Sequence, residues 1–270
     1  MLKKVLEFFI FSKVYVALCV AFLANTSFKI FGVPVNWVVL GFIFFSTLAL
    51  YAFHQVWGLN SMNTNLLSVR QKWSLANKWS LMWITIIAGI ISVTMGFQIP
   101  FKTLILLIPC GLISIGYSTS IFFNRRLRDV PLIKIYLISI VVSAIVVVLP
   151  GIVAEVSCRK VFLLFSIQSL FLLGITIPFD VRDVKIDNLG LKTIPLIIGE
   201  RKAIQLAVAL LFVSGALAWC LLPNGNTFLI SSLLSSAAVW FTNSSRNEYF
   251  FSLAIEGMMI VQFVLIYLLQ

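Results

Sequence analysis

The chain has 270 residues, of which 61% are hydrophobic and 11% are charged, and its formal net charge at pH 7 is +11. Its mean hydropathy of +1.07 excludes an ordinary water-soluble domain, which needs a larger share of charged surface. The positive charge does not indicate nucleic-acid binding, because the basic residues are scattered among short connections between apolar segments, the pattern that sets orientation in a membrane.

Nine apolar segments recur along the chain, and most are long enough to cross a hydrocarbon layer of ~30 Å. Because backbone polar groups in hydrocarbon must be hydrogen-bonded within their own segment, each is predicted to be a helix. The first is expected to be retained rather than cleaved as a signal peptide, because Lys13 interrupts its apolar run. The predicted spans are Phe8–Ala24, Val35–Phe53, Leu81–Phe97, Leu104–Phe123, Leu132–Leu149, Val161–Pro178, Ala203–Leu222, Phe228–Phe241 and Phe250–Leu269.

These spans predict an all-α fold, a polytopic membrane bundle of about nine transmembrane helices. A single integral membrane domain is expected over residues 1–270, since no connection exceeds about 30 residues and an independent domain usually needs ~50 or more.

Lys and Arg residues are distributed unevenly between the two sides of this predicted bundle. Fourteen lie at the N-terminus or after even-numbered spans and four lie in the opposite connections, with Lys13 and Lys134 set aside as near or within spans. Because basic connections stay in the cytoplasm, we expect a cytoplasmic N-terminus and, with nine spans, a C-terminus outside. The expected location is a plasma membrane, namely the inner membrane of a bacterium.

Acidic residues are scarce, since the chain has nine, yet three fall together as Asp180, Asp183 and Asp187. Offsets of three and four place these carboxylates along one helical face at the cytoplasmic end of the sixth span. Oxygen ligands at this spacing suit a hard cation such as Mg²⁺, which also binds substrate phosphates. The alternative is that Arg182 and Lys185 neutralise the acids at a solvated helix end.

Basic residues follow this cluster at Lys192, Arg201 and Lys202. A cation held by carboxylates, with ammonium and guanidinium groups nearby, forms a site for a diphosphate. Such a site stabilises the negative charge that develops when an allylic carbon–oxygen bond breaks. Each basic residue taken alone is equally explained by its role in membrane orientation.

The run Asp180–Asp187, followed by Gly190–Pro195 and Gly199, resembles the second aspartate-rich motif of the UbiA-type intramembrane prenyltransferases. The resemblance implies a helical bundle around a central cavity. It also implies Mg²⁺-dependent transfer of a polyprenyl group from its diphosphate to an aromatic or other lipid-soluble acceptor. The implied partners are the polyprenyl diphosphate, the hydrophobic acceptor and membrane lipids, with no nucleic acid and no obligate protein partner.

By position, the resemblance implies that Asp180, Asp183 and Asp187 hold Mg²⁺ and that Lys192 contacts the diphosphate. It also implies that residues at the end of span four and just after it bind substrate. These are Tyr117, Arg125 and Arg126.

The family's first aspartate-rich motif, Asn-Asp-x-x-Asp in general form, is missing from this chain. Its place is the end of the second span, where residues 51–60 contain no carboxylate and His54, the chain's one histidine, lies instead. One interpretation is that the site binds a single cation and that His54, Arg70 and Lys72 supply the remaining contacts. The other is that His54 is a hydrogen-bonded polar residue at a helix end.

Two further functions fit parts of the sequence. The missing motif is compatible with a family member that binds an isoprenoid lipid and has lost ordinary prenyl transfer. A cation-coupled transporter using Asp180 and Asp183 is the weaker alternative, because transport sites usually lie near the membrane midplane on broken helices.

Overall fold

A computed structural model describes residues 2–59, 68–120, 126–184 and 193–269. Within these ranges the chain is helical and contains no β-strand. Eight helices there are long and apolar enough to cross a membrane, namely Val14–Phe31, Trp37–Leu59, Lys78–Gly96, Phe101–Ser118, Ile133–Val153, Cys158–Asp183, Glu200–Leu221 and Phe250–Leu269. The prediction of an all-α integral membrane protein is confirmed.

The α-helices are numbered in chain order. They are α1 Leu2–Phe11, α2 Val14–Phe31, α3 Trp37–Leu59, α4 Val69–Ala76, α5 Lys78–Gly96, α6 Leu104–Ser118, α7 Ile133–Ser143, α8 Leu149–Val153, α9 Cys158–Asp183, α10 Ile194–Ile198, α11 Glu200–Leu221, α12 Gly225–Trp240 and α13 Glu256–Leu269. Short 3₁₀ turns cover Phe101–Thr103 and Leu127–Asp129, and π-helical segments cover Ala144–Val148 and Phe250–Ile255.

The first crossing helix begins later than the sequence predicts. α1 ends at Phe11 and α2 begins at Val14, and Lys13 between them has a left-handed backbone with φ of 75°. An ammonium group is costly inside hydrocarbon, and the break places Lys13 ahead of the crossing helix rather than within it. The crossing helix is therefore Val14–Phe31 instead of the predicted Phe8–Ala24.

The eighth predicted span corresponds to α12, which has 16 residues. At 1.5 Å per residue such a helix is about 24 Å long and falls short of a perpendicular crossing of ~30 Å. Its buried face carries serines, and Ser231 and Ser235 donate hydrogen bonds to the carbonyls of Phe228 and Ser231. The described part of the chain thus holds eight long spans and this shorter helix, where the sequence predicted about nine spans.

Most successive spans pack beside one another, although α6 packs against α3 and α7 rather than against α5, and the last helix, α13, contacts the first span, α2. α9 and α11 approach each other closely at Gly174. A Cβ atom added to Gly174 of α9 would lie 2.6 Å from Leu211 Cγ and 3.0 Å from the backbone oxygen of Ala207. Because α9 ends at Asp183, this packing positions the carboxylates at its C-terminal end.

We therefore expect Gly174→Ala to lower the free energy of unfolding by about 1–3 kcal/mol, because the added methyl group overpacks the α9–α11 contact. The measurement is the thermal unfolding midpoint of the detergent-purified protein. The control is Gly89→Ala in α5, where an added Cβ meets nothing within 4 Å and the midpoint should not fall. Equal midpoints for the two variants would contradict this account of the packing.

Candidate functional site

The last turns of α9 carry two of the three predicted carboxylates. Asp180 and Asp183 are three residues apart and share a helical face. The Asp180 side chain is 4% exposed and that of Asp183 is 19% exposed. An ionised carboxylate in such surroundings requires a cation and hydrogen bonds close by.

Lys134, the second residue of α7, supplies that cation. Its Nζ atom donates a hydrogen bond of 2.8 Å to Asp180 Oδ1 and lies 3.9 Å from Asp183 Oδ2. The Lys134 side chain is 23% exposed and so remains more accessible than that of Asp180. The pair joins α7 to α9 at this end of the bundle.

Asp183 is held by its neighbour in sequence. Arg182 Nε and Nη2 donate to the two carboxylate oxygens of Asp183 at 2.8 and 3.2 Å, a bidentate arrangement that is among the stronger polar contacts in proteins. The guanidinium also lies 5.1 and 5.7 Å from the ring centres of Phe179 and Phe251, within the range of cation–π attraction.

Glu248 extends this arrangement to α4. Arg182 Nη1 donates to Glu248 Oε1 at 3.1 Å, and Arg70 Nε lies 3.6 Å from the same oxygen. Two guanidinium groups thus share one carboxylate. The nearby Arg182 guanidinium, together with burial, lowers the pKa of Arg70 from its ordinary value, which indicates crowding of positive charge around Arg70.

These contacts form a connected group that we call the ionic cluster. It contains three cationic and three anionic side chains from α4, α7, α9 and the segment before α13, namely Arg70, Lys134, Asp180, Arg182, Asp183 and Glu248. Formal charges within the cluster cancel, so it does not carry the excess negative charge of a carboxylate site.

In the part of the chain that the structure describes, the two predicted Mg²⁺ ligands Asp180 and Asp183 are paired with Lys134 and Arg182. Among residues 2–59, 68–120, 126–184 and 193–269, no three His, Cys, Asp or Glu side chains lie together in a way that could hold a metal ion. Mg²⁺ requires a near-octahedral set of oxygen ligands, so it would have to displace the contacts of Lys134 and Arg182 with Asp180 and Asp183. The third predicted ligand, Asp187, lies outside the described residues.

His54, which takes the place of the missing motif, links α3 to α6. Its Nδ1 atom is 2.7 Å from Ser118 Oγ, and its ring centre is 5.5 Å from that of Tyr117. The next residue, Gln55, donates to the Ser74 hydroxyl of α4. This arrangement agrees with the interpretation of His54 as a hydrogen-bonded polar residue near a helix end.

Tyr117, a predicted substrate-binding residue near the end of α6, packs its ring against that of His54. Arg126 instead contacts a nearby acid, with its Nε atom 2.6 Å from Asp129 Oδ2.

The two predicted basic residues of α4 have different surroundings. Lys72 is exposed and follows Arg70 by two residues, which turns its side chain about 200° around the helix from Arg70. The structure thus brings Arg70 into the ionic cluster through Glu248, and not Lys72. Arg125 and Lys192, the remaining predicted residues, lie outside the described parts of the chain.

Sequence reasoning missed Lys134 and Glu248. Lys134 was set aside as a basic residue near or within a span, although ionisable residues in membrane segments are expensive and usually have a partner. The position of Lys134 in a membrane segment could therefore have identified it. Glu248 is harder to identify from the sequence, because its only distinguishing features are that it is one of nine acidic residues in the chain and that it lies just before the last span.

Replacing Glu248 with glutamine is expected to lower the free energy of unfolding by about 3 kcal/mol, since it leaves two guanidinium groups without their shared counter-charge. Thermal unfolding in detergent measures the change. Glu155→Gln is the matched control, because its carboxylate contacts Lys102 at 2.6 Å with both side chains well exposed, and an exposed ion pair contributes little to stability. If the unfolding midpoint of Glu248→Gln falls no further than that of Glu155→Gln, the cluster does not stabilise the fold.

Solved structures of similar fold extend over nearly the whole chain. A UbiA homologue from Archaeoglobus fulgidus bound to GPP and Mg²⁺ is 10% identical with a TM-score of 0.66, covering 97% of this chain and 98% of that one. A digeranylgeranylglyceryl phosphate synthase is 14% identical with a TM-score of 0.58, covering 98% of each chain. The apo UbiA homologue from Aeropyrum pernix K1 is 17% identical with a TM-score of 0.55, covering 94% of this chain and 96% of that one.

No curated protein sequence matches this chain. The model of the UbiA prenyltransferase family, however, matches residues 65–249. That range is more than half of the chain and includes every member of the ionic cluster. The protein therefore belongs to the UbiA prenyltransferase family.

Proposed function

We propose that this protein is an intramembrane prenyltransferase that transfers a polyprenyl group from its diphosphate to an aromatic or other lipid-soluble acceptor. The observation that supports this most directly is the ionic cluster, which concentrates Arg70, Lys134 and Arg182 at the end of a membrane-spanning helix. The relatives bound to GPP and DMAPP with Mg²⁺ support a prenyl diphosphate as the donor.

Diphosphate recognition follows from the charges of the cluster. Arg70 and Arg182 share a single carboxylate, so an additional anion near them would relieve the repulsion between the two guanidinium groups. Their N–H groups match phosphate oxygens in geometry. The diphosphate end of the donor would bind at the cluster while its chain extends among the apolar helices.

The reaction requires the allylic carbon–oxygen bond to break with its electron pair leaving on the diphosphate. The donors of Arg182 and Lys134 would stabilise the charge that develops on the departing oxygen. The allylic cation would then bond to a nucleophilic atom of the acceptor, which loses a proton to solvent. The aromatic rings of Tyr51 and Tyr117, which both lie beside His54, would stabilise the cation before it is captured.

Mg²⁺ and the remaining predicted residues complete the proposal. Lys192 and Arg125 are expected to contact the diphosphate. Binding of Mg²⁺ by Asp180, Asp183 and Asp187 stays a prediction and is the alternative to the arrangement inferred below, because it would require Asp183 to release Arg182. We also propose that the end carrying the cluster faces the cytoplasm of a bacterial inner membrane, with the N-terminus on that side and the C-terminus outside.

A second candidate function is binding of an isoprenoid lipid without transfer. It is favoured by His54, which contacts Ser118 and Tyr117 at the position where the family motif has carboxylates. In that case the donor would bind and would not be consumed.

The two functions are separated by incubating the protein in lipid nanodiscs with radiolabelled geranyl, farnesyl or longer polyprenyl diphosphates and a membrane lipid extract as acceptor source. We expect release of diphosphate with formation of a labelled lipid. Asp183→Asn should reduce this rate at least about tenfold, because Arg182 loses the partner that orients it. The Glu155→Gln variant should retain the wild-type rate.

Binding of the labelled donor without release would favour the lipid-binding function. Equal rates for wild type and Asp183→Asn would contradict a role of the cluster in transfer. Neither binding nor release at any chain length, with and without Mg²⁺, would refute both functions.

A further inference from the structure

The ionic cluster presents an ammonium group where a metal site would present carboxylates. Asp180 is 4% exposed, whereas the Lys134 side chain that contacts it is 23% exposed. Lys134 is therefore the more exposed side chain of the pair.

Lys134 has hydrogen-bonding capacity to spare. An ammonium group has three N–H donors, and one is used in the 2.8 Å bond to Asp180 Oδ1. Asp183 Oδ2, at 3.9 Å, is beyond hydrogen-bonding distance and contributes attraction only. The remaining donors can reach a phosphate oxygen while the bond to Asp180 is kept.

Neither Asp180 nor Asp183 has both carboxylate oxygens free to bind a metal ion. Both oxygens of Asp183 accept from Arg182, which is itself held by Glu248. A metal ion at Asp180 would lie close to the Lys134 ammonium and would be repelled by it. Binding of Mg²⁺ thus requires the protein to break contacts that already neutralise the site.

We propose that Lys134 is the resident cation of this site. Its ammonium takes the place between Asp180 and Asp183 that a divalent metal would otherwise occupy, and it binds the phosphate oxygens of a prenyl diphosphate without metal. The identity of the ligand rests on the proposed function, whereas the exclusion of metal from Asp180 and Asp183 does not.

The first experiment measures metal binding alone. Mn²⁺, a substitute for Mg²⁺ that electron paramagnetic resonance detects, is titrated into detergent-purified wild type, Lys134→Gln and Lys102→Gln. We expect Lys134→Gln to bind Mn²⁺ at least about tenfold more tightly than wild type, because Asp180 and Asp183 lose a neighbouring positive charge. Lys102→Gln is the matched control, since its lysine also pairs with a carboxylate, Glu155, and it should behave as wild type does.

The second experiment measures binding of a non-hydrolysable geranyl thiodiphosphate by calorimetry, in EDTA and in Mg²⁺. Wild type should bind with dissociation constants that agree within about twofold, whereas Lys134→Gln should lose about tenfold or more in EDTA, the effect of one charge-assisted hydrogen bond. Lys134→Gln should recover part of this loss when Mg²⁺ is added.

A double variant covers the case in which Lys134→Gln alone leaves Asp180 unpaired and fails to fold. Asp180→Asn with Lys134→Gln removes both charges and keeps side chains that can hydrogen-bond to each other. It should bind the analogue as weakly in Mg²⁺ as in EDTA. Wild-type affinity of this variant in EDTA would overturn the proposal.

Two other results would overturn it. One is binding of Mn²⁺ by wild type as tight as that by Lys134→Gln, and the other is loss of analogue binding by wild type in EDTA. If wild type binds the analogue in neither condition, the proposed function fails, and the Mn²⁺ titration still decides whether Lys134 excludes metal.

Discussion

The hydrogen bond between Lys134 and Asp180 is the contact on which the arrangement of the site depends. Asp180 is almost fully buried at the end of a membrane-spanning helix, where an unpaired carboxylate would be expensive. Lys134 removes that cost and holds the beginning of α7 against the end of α9. Arg182, Glu248 and Arg70 then continue the alternation of charge as far as α4.

The ionic cluster adds specific polar contacts to a helical architecture that the chain shares with solved structures. The helices superimpose on those of solved relatives over nearly their whole length at sequence identities of 10–17%. Such divergence preserves apolar packing, which depends on shape and hydrophobicity. In this chain Lys134 and Arg182 pair with the carboxylates of Asp180 and Asp183.

The missing first motif and the pairing of Asp180 and Asp183 with basic side chains both reduce the net negative charge of the site. Two carboxylate clusters require several metal charges to be neutral, whereas this chain has a histidine at the first position and two carboxylates matched by basic side chains at the second. His54 contacts a hydroxyl and aromatic rings and therefore adds little charge. Under the proposed function, the site would hold an anion with fewer external cations than a site built from two acidic clusters.

The sequence by itself determined the membrane class, the approximate positions of the spans and the family. Hydrophobic length and the spacing of Asp180, Asp183 and Asp187 are local properties, and they can be recognised from residues close together in the chain. The sequence also suggested the alternative that Arg182 neutralises the acids, and the contact between Arg182 and Asp183 agrees with this alternative.

Only the tertiary structure decided which charges meet. Lys134 is 46 residues from Asp180, and Arg182 is 66 residues from Glu248, so no local pattern links them. The same holds for the contact between His54 and Ser118, 64 residues apart. Helix packing brings these side chains together, and their low exposure then makes pairing necessary, because a charge that has lost water must find a partner within the protein.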